Sequence, residues 1–278
     1  MDFEVTRCRV KFKIPFTVNV LSPLALRRPV EFIDAAQAFC DSMPQMLPEK
    51  WGWWEPLNRE FDSQDLRILV PKGSVCETVY WKRGKRPRAE GAFATRWISK
   101  SPKVLDTHSN IGFTVELGQV DQAALIAYLK RASVRSKADF AFLDTLTEPY
   151  TAFAVESGSA PYGERFMLVT HVLRHWLPDI FWATVLGPPY VRLFGKECLL
   201  STPASVVEEL GPETIYLQVS ESITDVVEDL ESVRLRRDLI KAHLGRNAFF
   251  VSGRGYDRLQ RGAVGDVFKV PQFHLAPD

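Results

Sequence analysis

The stretch Trp176-Leu-Pro-Asp-Ile-Phe-Trp-Ala-Thr-Val-Leu-Gly-Pro-Pro-Tyr190 sets the interpretation of the C-terminal half, because it joins an aromatic, apolar run to three prolines and a glycine. It is echoed earlier by Leu47-Pro-Glu-Lys-Trp51 and Gly52-Trp-Trp-Glu-Pro-Leu57. In both places an amphipathic helix pattern ends at Leu-Pro and an aromatic run follows. We therefore predict that the later run, continued to Gly195, is a structural hinge between a helix and a sheet, and that the chain contains two similar helix-plus-sheet halves.

Outward from these runs, the hydrophobic pattern alternates between periods typical of strands and of helices. Strand-like runs occur in antiparallel-type groups separated by Gly and Pro turns, with helices between the groups, which predicts an α+β fold with antiparallel sheets and packed helices. Predicted strands are 3–20, 66–70, 75–82, 91–98, 111–117, 140–146, 150–155, 198–200, 206–209 and 215–219. Predicted helices begin at Pro29, at the N-cap Asp121, near 164 and near 224.

The length of 278 residues is enough for two subdomains or one large domain. We predict an N-terminal α+β half over 1–147 and a C-terminal half over 148–278, with one continuous domain as the alternative.

The composition excludes several classes of protein. The formal net charge of +1 gives no global attraction to nucleic acid or membranes. The four cysteines lie far apart, without the spacing of a zinc site or a disulfide scaffold. The first twenty residues lack the apolar core of a signal peptide, and no apolar run is long enough to span a bilayer. We predict a cytoplasmic protein without a membrane partner.

No catalytic constellation stands out in the sequence. His171 and His175 are spaced i, i+4, but Val172-Leu-Arg174 separates them, without the glutamate of a zinc-protease motif. The string Ser157-Gly-Ser-Ala-Pro161 is not a nucleophile elbow, and no Gly-rich phosphate loop is present. We predict a protein that is not an enzyme and binds no metal or cofactor. An enzyme whose site is assembled from dispersed residues, such as His171, His175 or Cys198, is the alternative.

The segment 82–88 concentrates positive charge in a predicted hairpin loop. A solvated loop that keeps the sheet edge soluble is the simpler interpretation. The alternative is a nucleic-acid-binding module in which the loop contacts phosphates while Trp81 and Trp97 stack on bases. The basic residues are Lys82, Arg83, Lys85, Arg86 and Arg88.

Negative charge is concentrated between Lys196 and Arg234, an interval with nine acidic residues and no Lys or Arg. Such a surface could bind a basic partner, for instance the cleft of a nuclease, or could simply be solvated. The acidic residues that we select as partner-binding candidates are Glu208, Glu209, Glu213, Glu221, Asp225, Glu228 and Asp229.

The segments 177–203 and Ala242-His-Leu-Gly-Arg-Asn-Ala-Phe-Phe250, with Trp51-Gly-Trp-Trp-Glu-Pro56, resemble bacterial immunity proteins. The similar proteins belong to polymorphic-toxin and type VI secretion systems and include the immunity-protein-52-like group. The resemblance implies a non-enzymatic cytoplasmic protein that binds and neutralises a cognate toxin, often a nuclease. The resemblance identifies no catalytic residue in this chain. The net charge of this chain is close to zero, whereas many nuclease inhibitors are acidic.

Overall fold

Within the residues that the structure describes, ten antiparallel strands form one sheet in the order β3-β2-β4-β5-β6-β1-β7-β8-β10-β9. The computed structural model describes residues 14–71, 78–95, 107–145, 168, 170–250 and 269–275. The strands are β1 Pro15–Ser22, β2 Lys50–Gly52, β3 Arg59–Glu60, β4 Thr78–Arg83, β5 Ala89–Ala94, β6 Ser109–Glu116, β7 Phe140–Thr145, β8 Ala183–Leu186, β9 Val206–Gly211 and β10 Thr214–Gln218.

Helices pack on this sheet, so the α+β class with antiparallel strands is confirmed. The predicted boundary between residues 147 and 148 lies outside the described residues, as do the predicted strand 150–155, the string 157–161 and Trp97. The α-helices are α1 Pro29–Ser42, α2 Gln122–Arg135, α3 Thr170–Leu173, α4 Pro188–Phe194, α5 Lys196–Leu200, α6 Asp225–Glu228 and α7 Leu230–Leu244. Among the described residues, no helix combines the length and the apolar character that a bilayer span requires.

One side of the sheet, face A, carries Phe16, Val18 and Val20 of the central strand β1, and α1 and α2 cover it. The ring of Phe39 on α1 lies 5.0 Å from that of Trp81 and 5.7 Å from that of Tyr128 on α2. These large rings are fully or nearly fully buried, so aromatic packing dominates the core between the helices and face A.

The opposite side, face B, is covered differently in the two halves of the sheet. Beside β7 and β8 it is apolar, and Phe140 packs on Tyr190 of α4 at 5.5 Å while Phe142 stacks on Phe181 at 3.9 Å. A buried ion pair between Asp144 on β7 and Arg237 on α7, at 2.6 Å, ties α7 to the sheet. On β1, by contrast, face B carries the polar residues Thr17 and Asn19.

The stretch 176–195 does connect helix and sheet. After α3, residues 176–182 are buried and lead into β8, and Gly187 then starts α4 directly. Trp182 is fully buried and donates its indole N–H to Ser220 Oγ at 2.9 Å. The stretch therefore packs in the core of the C-terminal half as an aromatic hinge, and its buried residues do not form an exposed ligand-binding surface.

Three predicted elements differ from the structure. Residues 66–69 form a 3-10 helix and Cys198 lies in the helix α5, although both were predicted as strands. Short apolar runs do not define a period, so the pattern does not separate strand from helix there. The helix predicted over 224–244 is divided at Asp229, whose side chain accepts from Ser232 N and caps α7.

Candidate functional site

The basic segment 82–88 closes the β4–β5 hairpin as predicted, since Arg83 pairs with Ala89. Most of its cationic side chains contact carbonyl or carboxylate oxygens of the protein itself. Arg83 donates to Leu47 O at 3.0 Å and to Arg86 O at 3.3 Å, and Arg88 lies 3.8 Å from a Glu116 oxygen. These contacts leave less charge available to phosphates than the sequence indicates.

Glu49 fixes the tip of this loop. Its Oε2 accepts from the backbone N–H groups of Gly84 at 2.8 Å and Lys85 at 3.2 Å, and the Lys85 ammonium lies 3.1 Å from Oε1. The Gly84 amide, followed by the Lys85 contact, holds the pKa of Glu49 below its ordinary value. The loop is consequently a hydrogen-bonded unit with Arg86 exposed at its tip.

Stacking by Trp81 is excluded, because the side chain is 2% exposed and packs on Phe39 and Phe113 of the core. Two further Trp rings lie at the neighbouring sheet edge, but Trp51 is also only 2% exposed and Arg59 covers both rings. The Arg59 guanidinium lies 4.9 Å from the Trp51 ring centroid and 4.5 Å from that of Trp53. Sequence reasoning missed this cation–π contact, since the cation comes from a different strand.

The acidic candidates fall into two groups with different electrostatics. The first lies on the hairpin β9–β10, at the edge of the sheet, and each member has a basic neighbour. Glu208 pairs with Lys130 at 2.5 Å, Glu209 with Lys196 at 2.7 Å and Glu213 with Arg192 at 3.7 Å. Cations from α2, α4 and α5 therefore compensate a run that is purely acidic in the sequence.

The second group surrounds α6 and the first turn of α7, and we call it the α6 acidic surface. Its members are Glu221, Asp225, Glu228, Asp229 and Glu231. Glu231 pairs with Arg234 at 3.1 Å. Within the described part of the chain, no Lys or Arg forms an ion pair with the other four acidic residues.

Apolar side chains adjoin the α6 acidic surface. Val227 is 46% exposed, and Leu235 and Leu239 on α7 are 63% and 52% exposed. Residues 231, 235 and 239 are spaced by four, so they lie on one side of α7. Exposed aliphatic groups beside carboxylates that mostly have no basic partner are typical of a protein-binding surface with a charged border.

A buried polar cluster joins His108, Asp139 and Thr170. The imidazole Nδ1 lies 2.9 Å from Thr170 Oγ1, and Nε2 lies 2.9 Å from Asp139 Oδ2. All three residues are at most 4% exposed, and the Thr170 hydroxyl also accepts from the backbone N–H of His108. We interpret the cluster as structural. Sequence reasoning missed it because its members lie about thirty residues apart or more.

The histidine pair does not resemble a metal site. His171 and His175 have ring centroids 4.9 Å apart, but the described residues contain no group of three or more potential metal ligands. His175 is buried, and desolvation, followed by His171 and Arg174, lowers its pKa below the ordinary value. Cys198 is half-buried against α7, where His243 Nε2 lies 2.8 Å from its carbonyl oxygen.

No family model matches this chain, and no curated protein sequence matches it. Among solved structures, it is similar to the Pseudomonas aeruginosa T6SS protein PA0821. The similarity covers 87% of this chain and 76% of that chain, with 12% sequence identity and a TM-score of 0.48. A similarity of this size assigns no function.

Proposed function

We propose that this protein is an immunity protein that binds and neutralises a cognate bacterial toxin by steric occlusion, without catalysis. The observation that carries the proposal is the α6 acidic surface, where Glu221, Asp225, Glu228 and Asp229 have no basic ion-pair partner among the described residues and exposed Val227 and Leu235 lie beside them. The resemblance of 177–203 and 242–250 to immunity proteins supports the biological role. A cytoplasmic location is part of the proposal.

The chemistry of the surface favours a basic partner. Nucleases that bind phosphate backbones concentrate Lys and Arg in their clefts, and a carboxylate surface is complementary to such a cleft. Charge complementarity mainly raises the association rate, while the adjoining aliphatic side chains provide apolar area. We therefore place the toxin contact at α6 and α7 rather than at the compensated β9 edge.

The test is binding of the purified protein to the toxin domain encoded beside its gene. We expect a dissociation constant of about 1 nM or less at low salt, since tight inhibitory complexes commonly reach this range. The double variant Glu221→Lys/Glu228→Lys should slow association at least about tenfold and weaken protection of cells. The control Asp65→Lys changes an exposed acid near the opposite sheet edge and should bind normally.

Two results would contradict the proposal. The first is an absence of binding and protection with every toxin domain encoded beside the gene. The second is equal binding by the double variant and by Asp65→Lys, which would move the contact away from α6. Salt-dependent binding of DNA or RNA in place of the toxin would favour the basic loop instead.

A further inference from the structure

A groove of about 110 Å³ lies on face B, on the side of the sheet opposite α1 and α2. It crosses β1, β6, β5 and β4, where this face is polar or carries small side chains. Its polar lining includes Thr17, Asn19, Glu90, Asn110 and Thr114, and its apolar lining includes Ala92, Ala94 and the ring of Tyr80. The described lining contains no Lys, Arg or His.

Asn19 is the residue that points to a ligand. Its side-chain N–H donates to Asn110 Oδ1 at 2.9 Å, which fixes the orientation of the amide. The residue is only 3% exposed, yet no donor in the described part of the chain reaches its Oδ1. A buried acceptor without a donor keeps the cost of its desolvation uncompensated, so a bound donor would stabilise the protein.

Gly112 keeps room for this amide. A Cβ at position 112 would lie 2.9 Å from Asn19 Nδ2 and 3.4 Å from Asn110 Oδ1. Glu90, 7% exposed, adds a carboxylate to the same lining. A carboxylate offers about four acceptor sites, so it can accept from a ligand in addition to its contacts within the protein.

We propose that this groove binds the ammonium or guanidinium group of a small cationic amine. Asn19 Oδ1 and the Glu90 carboxylate accept from its N–H groups, and such charge-assisted hydrogen bonds are stronger than neutral ones. Ala92, Ala94 and the Tyr80 ring contact the aliphatic stem. A guanidinium group could belong to a free amine or to an arginine side chain of a peptide, and both present the same chemistry.

The experiment titrates the full chain with agmatine, with the tripeptide Gly-Arg-Gly and with glutarate, and follows heat and NMR shifts. We expect saturable agmatine binding with a dissociation constant of about 1 mM or tighter, and no glutarate binding. Contacts from agmatine methylenes to the Ala92 and Ala94 methyl groups should appear in wild-type protein, without any substitution. If Gly-Arg-Gly binds saturably and agmatine does not, the cation site is supported and its ligand is an arginine side chain of a peptide.

Ala92→Leu should fill the groove and weaken binding at least about tenfold, whereas Ala127→Leu on the exposed side of α2 should leave it unchanged. The proposal is overturned if neither cation binds saturably, or if glutarate binds as tightly as the cations. It is also overturned if folded Ala92→Leu binds like wild type, or if the cation that binds wild-type protein makes no contact with the Ala92 and Ala94 methyl groups.

Discussion

At the scale of single residues, Gly187 shows how closely two parts of the chain approach. A Cβ at this position would lie 2.0 Å from Ala138 O and 2.9 Å from Asp139 Cα, and the Gly187 N–H donates to Asp139 O. Backbone atoms cannot move aside as a flexible side chain can. Gly187→Ala should therefore lower the free energy of unfolding by about 3 kcal/mol, measured by urea denaturation.

The matched control is Gly211→Ala on β9, where an added Cβ meets nothing within 4 Å. We expect that variant to stay within about 0.5 kcal/mol of wild type. Similar stabilities of the two variants would mean that the contact between Gly187 and Ala138 is looser than described.

His175 should make stability depend on pH. Its pKa is below the ordinary value of 6.5, first because burial disfavours the charged ring and then because His171 and Arg174 are nearby. The unfolded chain then binds more protons than the folded protein between the two pKa values. The contribution of neutral His175 to the free energy of unfolding is fully present above pH 6.5, and it decreases as the pH falls from 6.5 to the lower pKa of the folded protein.

The measurement is the free energy of unfolding between pH 5 and 7.5 for wild type, His175→Phe and His171→Gln. His175→Phe should flatten the slope in this interval. His171→Gln should flatten it only partly, because it removes one of the smaller causes. An unchanged slope in His175→Phe would assign the dependence to other groups.

At the scale of elements, the β4–β5 hairpin is fixed by Glu49 from outside the hairpin. The carboxylate stabilises the loop while ionised, and its lowered pKa means that this contribution is present above its ordinary pKa of 4.5. It is lost as the pH falls through the lower value in the folded protein. Glu49→Gln should therefore accelerate hydrogen exchange at the Gly84 and Lys85 amides near neutral pH.

Glu60→Gln is the control for this prediction, because Glu60 pairs with Lys50 on the neighbouring strands and leaves the loop amides alone. If the Gly84 and Lys85 amides are equally protected from exchange in Glu49→Gln and in wild type, Glu49 does not stabilise the loop. Protection in wild type should also approach that of Glu49→Gln at a pH well below 4.5.

The same scale separates what the sequence could predict from what it could not. The helix α1 follows from apolar side chains at helical spacing with Pro29 in the first turn, and α2 follows Asp121 in the same way. The basic loop and the acidic interval are visible as charge runs. The residues that form ion pairs with these two charged segments cannot be identified from the sequence. Glu49 and Lys130 are distant from Lys85 and Glu208 in the sequence, and only the tertiary fold brings them together.

At the scale of the whole molecule, the sheet and its buried ion pair cross between the predicted halves. The β7–β8 ladder pairs Phe140 with Leu186, and Asp144 on β7 meets Arg237 on α7. On face A, Lys130 of α2 lies 4.3 Å from the Tyr216 ring on β10. Strand order depends on pairings between distant segments, so the local pattern could not predict that these strands share one sheet.

This continuity leads to a prediction about fragments. Residues 1–147 alone would expose the apolar side of β7, and residues 148–278 alone would leave Arg237 buried without Asp144, a loss of about 3–5 kcal/mol for a broken buried pair. We expect neither fragment to show a cooperative thermal transition, and co-expression to restore a complex with the near-UV circular dichroism of the full chain. A fragment that unfolds cooperatively by itself would instead establish two independent domains.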